Sequence, residues 1–166
     1  MSGQFFLSLA VTAATAFALA APVLATPASA AGPAVSVTYS EDLSEKLTED
    51  YGEREKRVLE DLVGSSLRRE LPASVTRVEV ELVDAVPNRP TFEQMGNKPG
   101  LSFTSFGVGG AELTGRAFDA SGAVVGEVTY RWYSNDIIWA QNSWVWEDAD
   151  RAIDRFAQEL ADDVTD

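Results

Sequence analysis

The sequence predicts an α+β fold of two layers, in which two helices pack on one face of a sheet of about four strands. Two stretches of the chain repeat apolar residues every three or four positions, as amphipathic helices do. Four shorter stretches alternate apolar and polar residues, as half-buried strands do. Two of these strands are close enough along the chain to form a hairpin, so we expect a mostly antiparallel sheet.

The sequence pattern of the first half of the domain predicts a strand, a helix and a second strand. Residues 34–39 and 75–84 alternate apolar and polar side chains, whereas residues 53–71 carry an apolar stripe at helical spacing. The acidic segment 40–50 fits either a loop or a short helix. A strand–helix–strand unit of this length would place its two strands parallel, and the sheet would then be mixed.

Residues 86–110 form the least regular segment, with three prolines and five glycines in 25 residues. That composition excludes a regular element over much of the segment, yet its phenylalanines are too apolar for a mobile linker. We expect an ordered loop packed by its own side chains, of which residues 101–106 extend as an added strand. Loops of this length in compact domains are usually functional, so this loop is the first candidate site.

A hairpin follows, formed by residues 111–118 and 123–133. The intervening Asp119-Ala120-Ser121-Gly122 suits a type I turn closed by a residue that tolerates positive φ. Pairing of Phe118 with Ala123 would place Arg116 opposite Val125. The apolar face of the hairpin is expected to meet the core. Its residues are Leu113, Ala117, Val124, Val128, Tyr130 and Trp132.

The last predicted element is a helix over residues 147–161. Ile153, Phe156 and Leu160 lie on one stripe, and the acidic pair at the start complements the positive end of the helix dipole. We expect this helix to pack beside the first one.

The N-terminus predicts export. Residues 5–24 are apolar, and Ala28 and Ala30 give the small-residue pattern that signal peptidase cleaves. We therefore predict a signal peptide over residues 1–30 and a single mature domain over 31–166, located in the periplasm or secreted. The alternative is a retained membrane anchor, because about 20 apolar residues suffice to span a bilayer.

Composition narrows the possible functions. The chain of 166 residues has a formal net charge of −13, which disfavours binding to nucleic acid. It contains no His and no Cys, the usual zinc ligands, so no metal or other cofactor is predicted. The same absence removes the usual proton shuttle and the thiolate nucleophile. We identify no catalytic residue and expect a protein that is not an enzyme.

Five short motifs carry a family resemblance. They are Tyr51-Gly52-Glu53-Arg54-Glu55, Pro87-Asn88-Arg89-Pro90-Thr91, Pro99-Gly100-Leu101, Ser105-Phe106-Gly107-Val108-Gly109-Gly110-Ala111 and Asp148-Ala149. In these the chain resembles a family of small exported bacterial proteins to which no activity is assigned. The second half is loosely similar to envelope lipoproteins of unknown function, although this chain lacks their cysteine. The resemblance implies an exported α+β domain.

The loop offers a candidate anion site. Arg89 stands between two prolines beside Asn88, where it could present its guanidinium to a carboxylate or phosphate. Lys98 and the backbone amides of residues 107–110 could complete the concavity. Alternatively, Arg89 bridges an internal carboxylate and stiffens the loop.

The second candidate surface is aromatic. Four tryptophans lie within residues 132–146, and exposed members would provide a platform for sugar rings or for apolar side chains of a partner. Trp132 is expected in the core, and at least one of the others is expected to be partly exposed. The alternative is that all four tryptophans are buried and form part of the core. The candidate binding residues are Asn88, Arg89, Thr91, Lys98, Trp139 and Trp144.

The sequence thus favours an exported, non-catalytic binding or assembly module of the cell envelope, whose partner is an envelope protein or a glycan. The alternative is a carbohydrate-active hydrolase that uses carboxylates or a glycan-binding protein of the cell wall. For hydrolysis, Glu112 and Glu127 on the hairpin are the available pair. A pocket that holds two acids beside Trp139 or Trp144 would favour the hydrolase.

Overall fold

The structure is a computed structural model that describes residues 32–165, apart from the side chain of Trp139. The predicted signal peptide, residues 1–30, lies outside the described residues. Four helices and four strands follow one another in the described chain. They are β1 (Ala34–Tyr39), α1 (Glu41–Lys46), α2 (Glu53–Glu70), β2 (Arg77–Val86), α3 (Phe92–Asn97), β3 (Gly110–Phe118), β4 (Val124–Tyr133) and α4 (Glu147–Thr165).

The sheet has the strand order β1-β2-β3-β4. β1 and β2 are parallel, joined by α1 and α2, whereas β2, β3 and β4 are antiparallel neighbours. This confirms the α+β class and the mixed sheet. β1 and β4 are the two edges.

Helices α2 and α4 lie side by side on one face of the sheet, as predicted. α2 buries Leu59, Val63 and Leu67, and α4 buries Ile153 and Phe156, all fully. Small residues allow the close approach of helix and sheet. A Cβ at Gly115 of β3 would lie 2.6 Å from the ring of Phe156. The glycine is therefore required by the packing of α4 on the sheet.

The acidic segment 40–50 is helical. Ser40 caps α1 by accepting a hydrogen bond from the Leu43 amide, and Leu43 and Leu47 are buried. A π-helical turn over Leu47–Tyr51 ends at Gly52, whose φ of 97° is a left-handed conformation that favours glycine. Helix α2 starts immediately afterwards.

The hairpin register differs from the prediction. Arg116 lies opposite Glu127, not Val125, and Phe118 pairs with Val124. A bulge at Val125 inserts one residue, so Val124 turns to the Phe118 side and is exposed, contrary to its predicted place in the core. Beyond the bulge the shift is an even number of residues. The core-facing assignment of Val128, Tyr130 and Trp132 therefore survives.

The loop before the hairpin also corrects the prediction. It contains the short helix α3, and residues 101–106 form turns instead of an added strand. Its aromatic side chains are not packed inside the loop. Phe92 and Phe103 meet edge to face, with ring centroids 5.8 Å apart, yet 61% and 70% of their surfaces remain exposed.

Candidate functional site

Asn88 organises the base of the loop. Its backbone amide donates to the Val145 carbonyl at 2.7 Å, and its carbonyl accepts from the Gly107 amide at 2.8 Å. Its side chain accepts from the Asp148 amide at 2.8 Å and donates to the Asp148 carboxylate at 2.5 Å and to the Gly107 carbonyl at 3.1 Å. Asn88 is 1% exposed, so this predicted binding residue serves the fold.

Asp148 closes the same network from the start of α4, where the helix dipole favours a carboxylate. It accepts from the Gly109 amide at 3.0 Å as well as from Asn88. A Cβ at Gly109 would lie 2.7 Å from the Val86 carbonyl oxygen. The glycine is therefore needed so that its backbone can approach β2 and Asp148.

Arg89 braces the loop against the segment before α4. Its guanidinium donates to the carbonyls of Ser143 at 2.5 Å and Phe103 at 2.9 Å, and also to the carbonyl of Gln141. The partners are backbone carbonyls, so the expectation of an internal carboxylate partner is wrong. A planar fork of donors suits this role, since it can bond several oxygens in fixed directions.

Thr91 and Lys98 lie at the two ends of α3. Thr91 is the N-cap and forms a capping box with Gln94. Lys98 pairs with Asp50 at 2.5 Å, and Gln94 donates to the same carboxylate at 2.9 Å. Burial opposes ionisation of Asp50, but these two hydrogen bonds outweigh it, so its pKa lies below the usual value.

The predicted anion concavity is not formed. The amides of Gly107 and Gly109 donate to Asn88 and Asp148, and Lys98 is held by Asp50. These donors are already used within the protein.

A different concavity lies beside Arg89, and we call it the aromatic cleft. It has a volume of about 190 Å³ and lies between α2, α3 and the segment before α4. Its wall includes three of the predicted residues, Arg89, Thr91 and Trp144. The apolar wall is made by Val58, Phe92, Met95, Phe103 and Trp144.

The tryptophans divide between core and surface, as expected. Trp146 is fully buried, donates to the Glu55 carboxylate at 2.7 Å and meets Tyr51 edge to face. Trp144 is 40% exposed in the aromatic cleft. Trp139 starts a 3₁₀ turn, and its side chain lies outside the described part of the structure.

Sequence reasoning missed Arg54, Phe92 and Phe103 as site residues. The guanidinium of Arg54 lies 5.4 Å from the centre of the Phe92 ring, and both line the aromatic cleft. A signal for the two phenylalanines was present in the sequence, because several phenylalanines in a polar, Pro/Gly-rich loop need either a core or a partner.

Acid–base groups in the aromatic cleft are few. Among the described residues that line it, Glu55 is the carboxylate, and it is buried against the Trp146 indole. Glu112 and Glu127 lie on the sheet instead, paired with Arg131 and Arg116. No two acids therefore share the cleft with Trp144 among the residues described. Within residues 32–165, no cluster of three potential metal ligands was found.

No helix within residues 32–165 combines the length and apolar character needed to cross a membrane. No protein-family model, curated protein or solved structure matches this chain.

Proposed function

We propose that this protein is an exported module of the cell envelope that binds a segment of a partner protein in its aromatic cleft, without catalysing a reaction. The proposal of export rests on the signal-peptide pattern of residues 1–30 and on the resemblance to exported proteins. The proposal of binding rests on the cleft itself.

One observation carries the binding proposal. Phe92, Phe103 and Trp144 are large aromatic residues that stand 61%, 70% and 40% exposed around one concavity. Exposed apolar surface gathered in one place costs free energy in water, and such patches mark binding sites in soluble proteins. A partner side chain that entered the cleft would remove this surface from water.

The cleft is held in shape before any partner arrives. Arg89 donates hydrogen bonds to three backbone carbonyls, which belong to the loop and to the segment before α4. Thr91, which also lines the cleft, is the N-cap of α3. A preformed surface loses little conformational entropy on binding, which favours affinity.

The size of the cleft supports a protein partner. Its volume of about 190 Å³ is smaller than the roughly 300–1,000 Å³ typical of clefts that enclose whole small-molecule ligands. It suits an anchor side chain of a larger partner, which commonly fills a small aromatic pocket at the centre of an interface.

Hydrolysis of glycans is less well supported. It would need two carboxylates about 5–10 Å apart across the substrate. Among the described residues that line the cleft with Trp144, Glu55 is the single carboxylate, and it accepts a hydrogen bond from the Trp146 indole.

To test the proposal, a photo-crosslinking amino acid is placed at position 103 and the envelope fraction is irradiated. The same amino acid at position 124 is the control. Val124 is also exposed and apolar, but it lies at the start of β4 and does not line the cleft. We expect position 103 to yield one discrete protein adduct that position 124 does not. Phe103→Ala should then weaken the purified complex at least tenfold with an unchanged melting temperature.

Equal crosslinking from both positions would contradict the proposal. Tight binding of soluble cell-wall glycan fragments that is lost in Trp144→Ala would favour the glycan-binding alternative instead. Trp144 and Val124 are both partly exposed. Trp144→Ala and the crosslinking amino acid at position 124 are therefore both expected to leave the fold intact.

A further inference from the structure

The aromatic cleft carries a positive charge at its edge. Arg54, in the first turn of α2, lines the cleft together with Phe92 and Phe103 and is exposed to solvent. Its guanidinium faces the Phe92 ring at 5.4 Å, so an apolar surface and a cation stand side by side.

Arg54 forms no salt bridge with any described residue, whereas Arg89, the other arginine of the cleft, is bonded to three carbonyls. The guanidinium of Arg54 is thus not held by a carboxylate of the described residues, and it stands at an apolar cleft. A guanidinium is well suited to recognise a carboxylate through paired hydrogen bonds.

The arrangement suits a ligand that presents an apolar group and a carboxylate close together. In an extended peptide, neighbouring side chains point to opposite sides, and the next side chain on the same face lies about 6.6 Å further along the chain. A C-terminal apolar residue carries its carboxylate on the same Cα as its side chain. The two groups then arrive together, as in recognised modes of C-terminal capture.

We infer that the aromatic cleft recognises the C-terminus of a partner protein that ends in a large apolar residue, with the side chain among Phe92, Phe103 and Trp144 and the α-carboxylate on Arg54. This inference rests on the proposed function and deepens it. The small volume of the cleft matches one terminal side chain, and the exposed position of Arg54 leaves room for the preceding residues of the partner to run into solvent.

Three synthetic peptides separate the contributions. The first is acetyl-Gly-Ser-Gly-Phe with a free carboxylate, the second is the same peptide as its C-terminal amide, and the third is acetyl-Gly-Glu-Gly-Phe amide, whose Glu side chain lies on the same face as the Phe side chain in an extended chain. Each is titrated into the ¹⁵N-labelled protein by NMR. We expect the free acid to bind about fivefold more tightly than its amide, the order expected of a partly exposed ion pair.

Arg54→Gln should remove this preference and leave the affinity for the amide unchanged. Arg57→Gln is the matched control, because Arg57 is exposed on the next turn of α2 and does not line the cleft. Phe103→Ala should weaken binding of both the acid and the amide.

The outcomes also distinguish this inference from the proposed function. Equal binding of acid and amide, both dependent on Phe103, overturns C-terminal recognition and leaves the binding module intact. Binding of the glutamate-containing amide as tightly as the free acid overturns it too, in favour of an acidic side chain. Absence of binding by all three peptides, or binding that Phe103→Ala leaves unchanged, counts against both the inference and the proposed function.

Discussion

Asn88 and Asp148 hydrogen-bond to each other twice, the backbone amide of Asp148 donating to the side chain of Asn88 and the side chain of Asn88 donating to the carboxylate of Asp148. The pair lies where the candidate loop leaves β2 and where α4 begins. It therefore fixes the loop relative to the helix layer. Both residues are buried, so each lost bond would leave a polar group without water.

Asn88→Ala is expected to lower the free energy of unfolding by about 3 kcal/mol, because it leaves the buried Asp148 amide without an acceptor and removes one of the two hydrogen bonds to the Asp148 carboxylate. Urea unfolding followed by circular dichroism measures the change. Asn135→Ala, at an exposed position, is the control and should change stability little. Equal stability of the two variants would show that the pair contributes nothing to the fold.

Arg89→Lys is expected to loosen the cleft without unfolding the protein, since an ammonium cannot reach three carbonyls in fixed directions. Amide hydrogen exchange should accelerate in residues 101–106 and 139–144, while the sheet stays protected. We expect a stability loss of about 1–2 kcal/mol, the cost of one or two hydrogen bonds. Unchanged exchange in both segments would refute the bracing role.

Asp84 predicts how the stability of the fold depends on pH. Its burial opposes ionisation, but hydrogen bonds from Lys46 and Tyr133, each 2.8 Å long, outweigh burial and hold its pKa below 3.8. A carboxyl with a depressed folded-state pKa stabilises the fold above its unfolded pKa, and this contribution is lost as pH falls through the folded value.

Asp84→Asn should therefore destabilise the protein at neutral pH by about 1–2 kcal/mol, and the difference from the wild type should shrink as pH falls below 3.8. Unfolding at a series of pH values measures it. Asp162→Asn, at an exposed site in α4, is the control. A difference that stays constant with pH would show that the Asp84 charge is not involved.

Tyr51 gives the opposite test at alkaline pH. Burial, with smaller contributions from Asp84 and Asp50, raises its pKa to about 12. Stability linked to a raised pKa is complete below the unfolded value of 10.0 and is lost as pH rises toward about 12. Tyr51→Phe should therefore lose less stability than the wild type over this interval. Identical alkaline unfolding of the two proteins would contradict the assignment.

The Asp163 carboxylate covers one backbone donor of the edge strand β4. Its carboxylate accepts from the backbone amide of Glu127 at 2.8 Å, which occupies a group that could otherwise pair with another strand. Asp163→Ala is expected to increase self-association in sedimentation velocity, whereas Asp163→Asn, which keeps an acceptor oxygen, should resemble the wild type. Equal association of the two variants would exclude a protective role for this bond.

Much of the candidate site could be anticipated from composition alone. The sequence predicts the loop and the tryptophan-rich segment as candidate surfaces, and the structure brings Arg89, Thr91 and Trp144 from them into one cleft. Lys98 could not be assigned correctly, because its partner Asp50 is 48 residues away and no local pattern links them. Arg54 was missed for the same reason, since it comes from α2.

The sequence by itself determined the fold class, the two packed helices and the face that each strand buries, apart from Val124 before the bulge in β4. Apolar periodicity is a local property, and it survives even the altered register of the hairpin because that shift was an even number of residues. Only the tertiary structure decided which donors remained available to a ligand. The hydrogen-bonding groups of Asn88 and of the loop glycines are bonded to Asp148 and to backbone groups far away in the chain. The guanidinium of Arg54, in contrast, stands at an apolar cleft. Such availability depends on distances between remote residues, which no local pattern encodes.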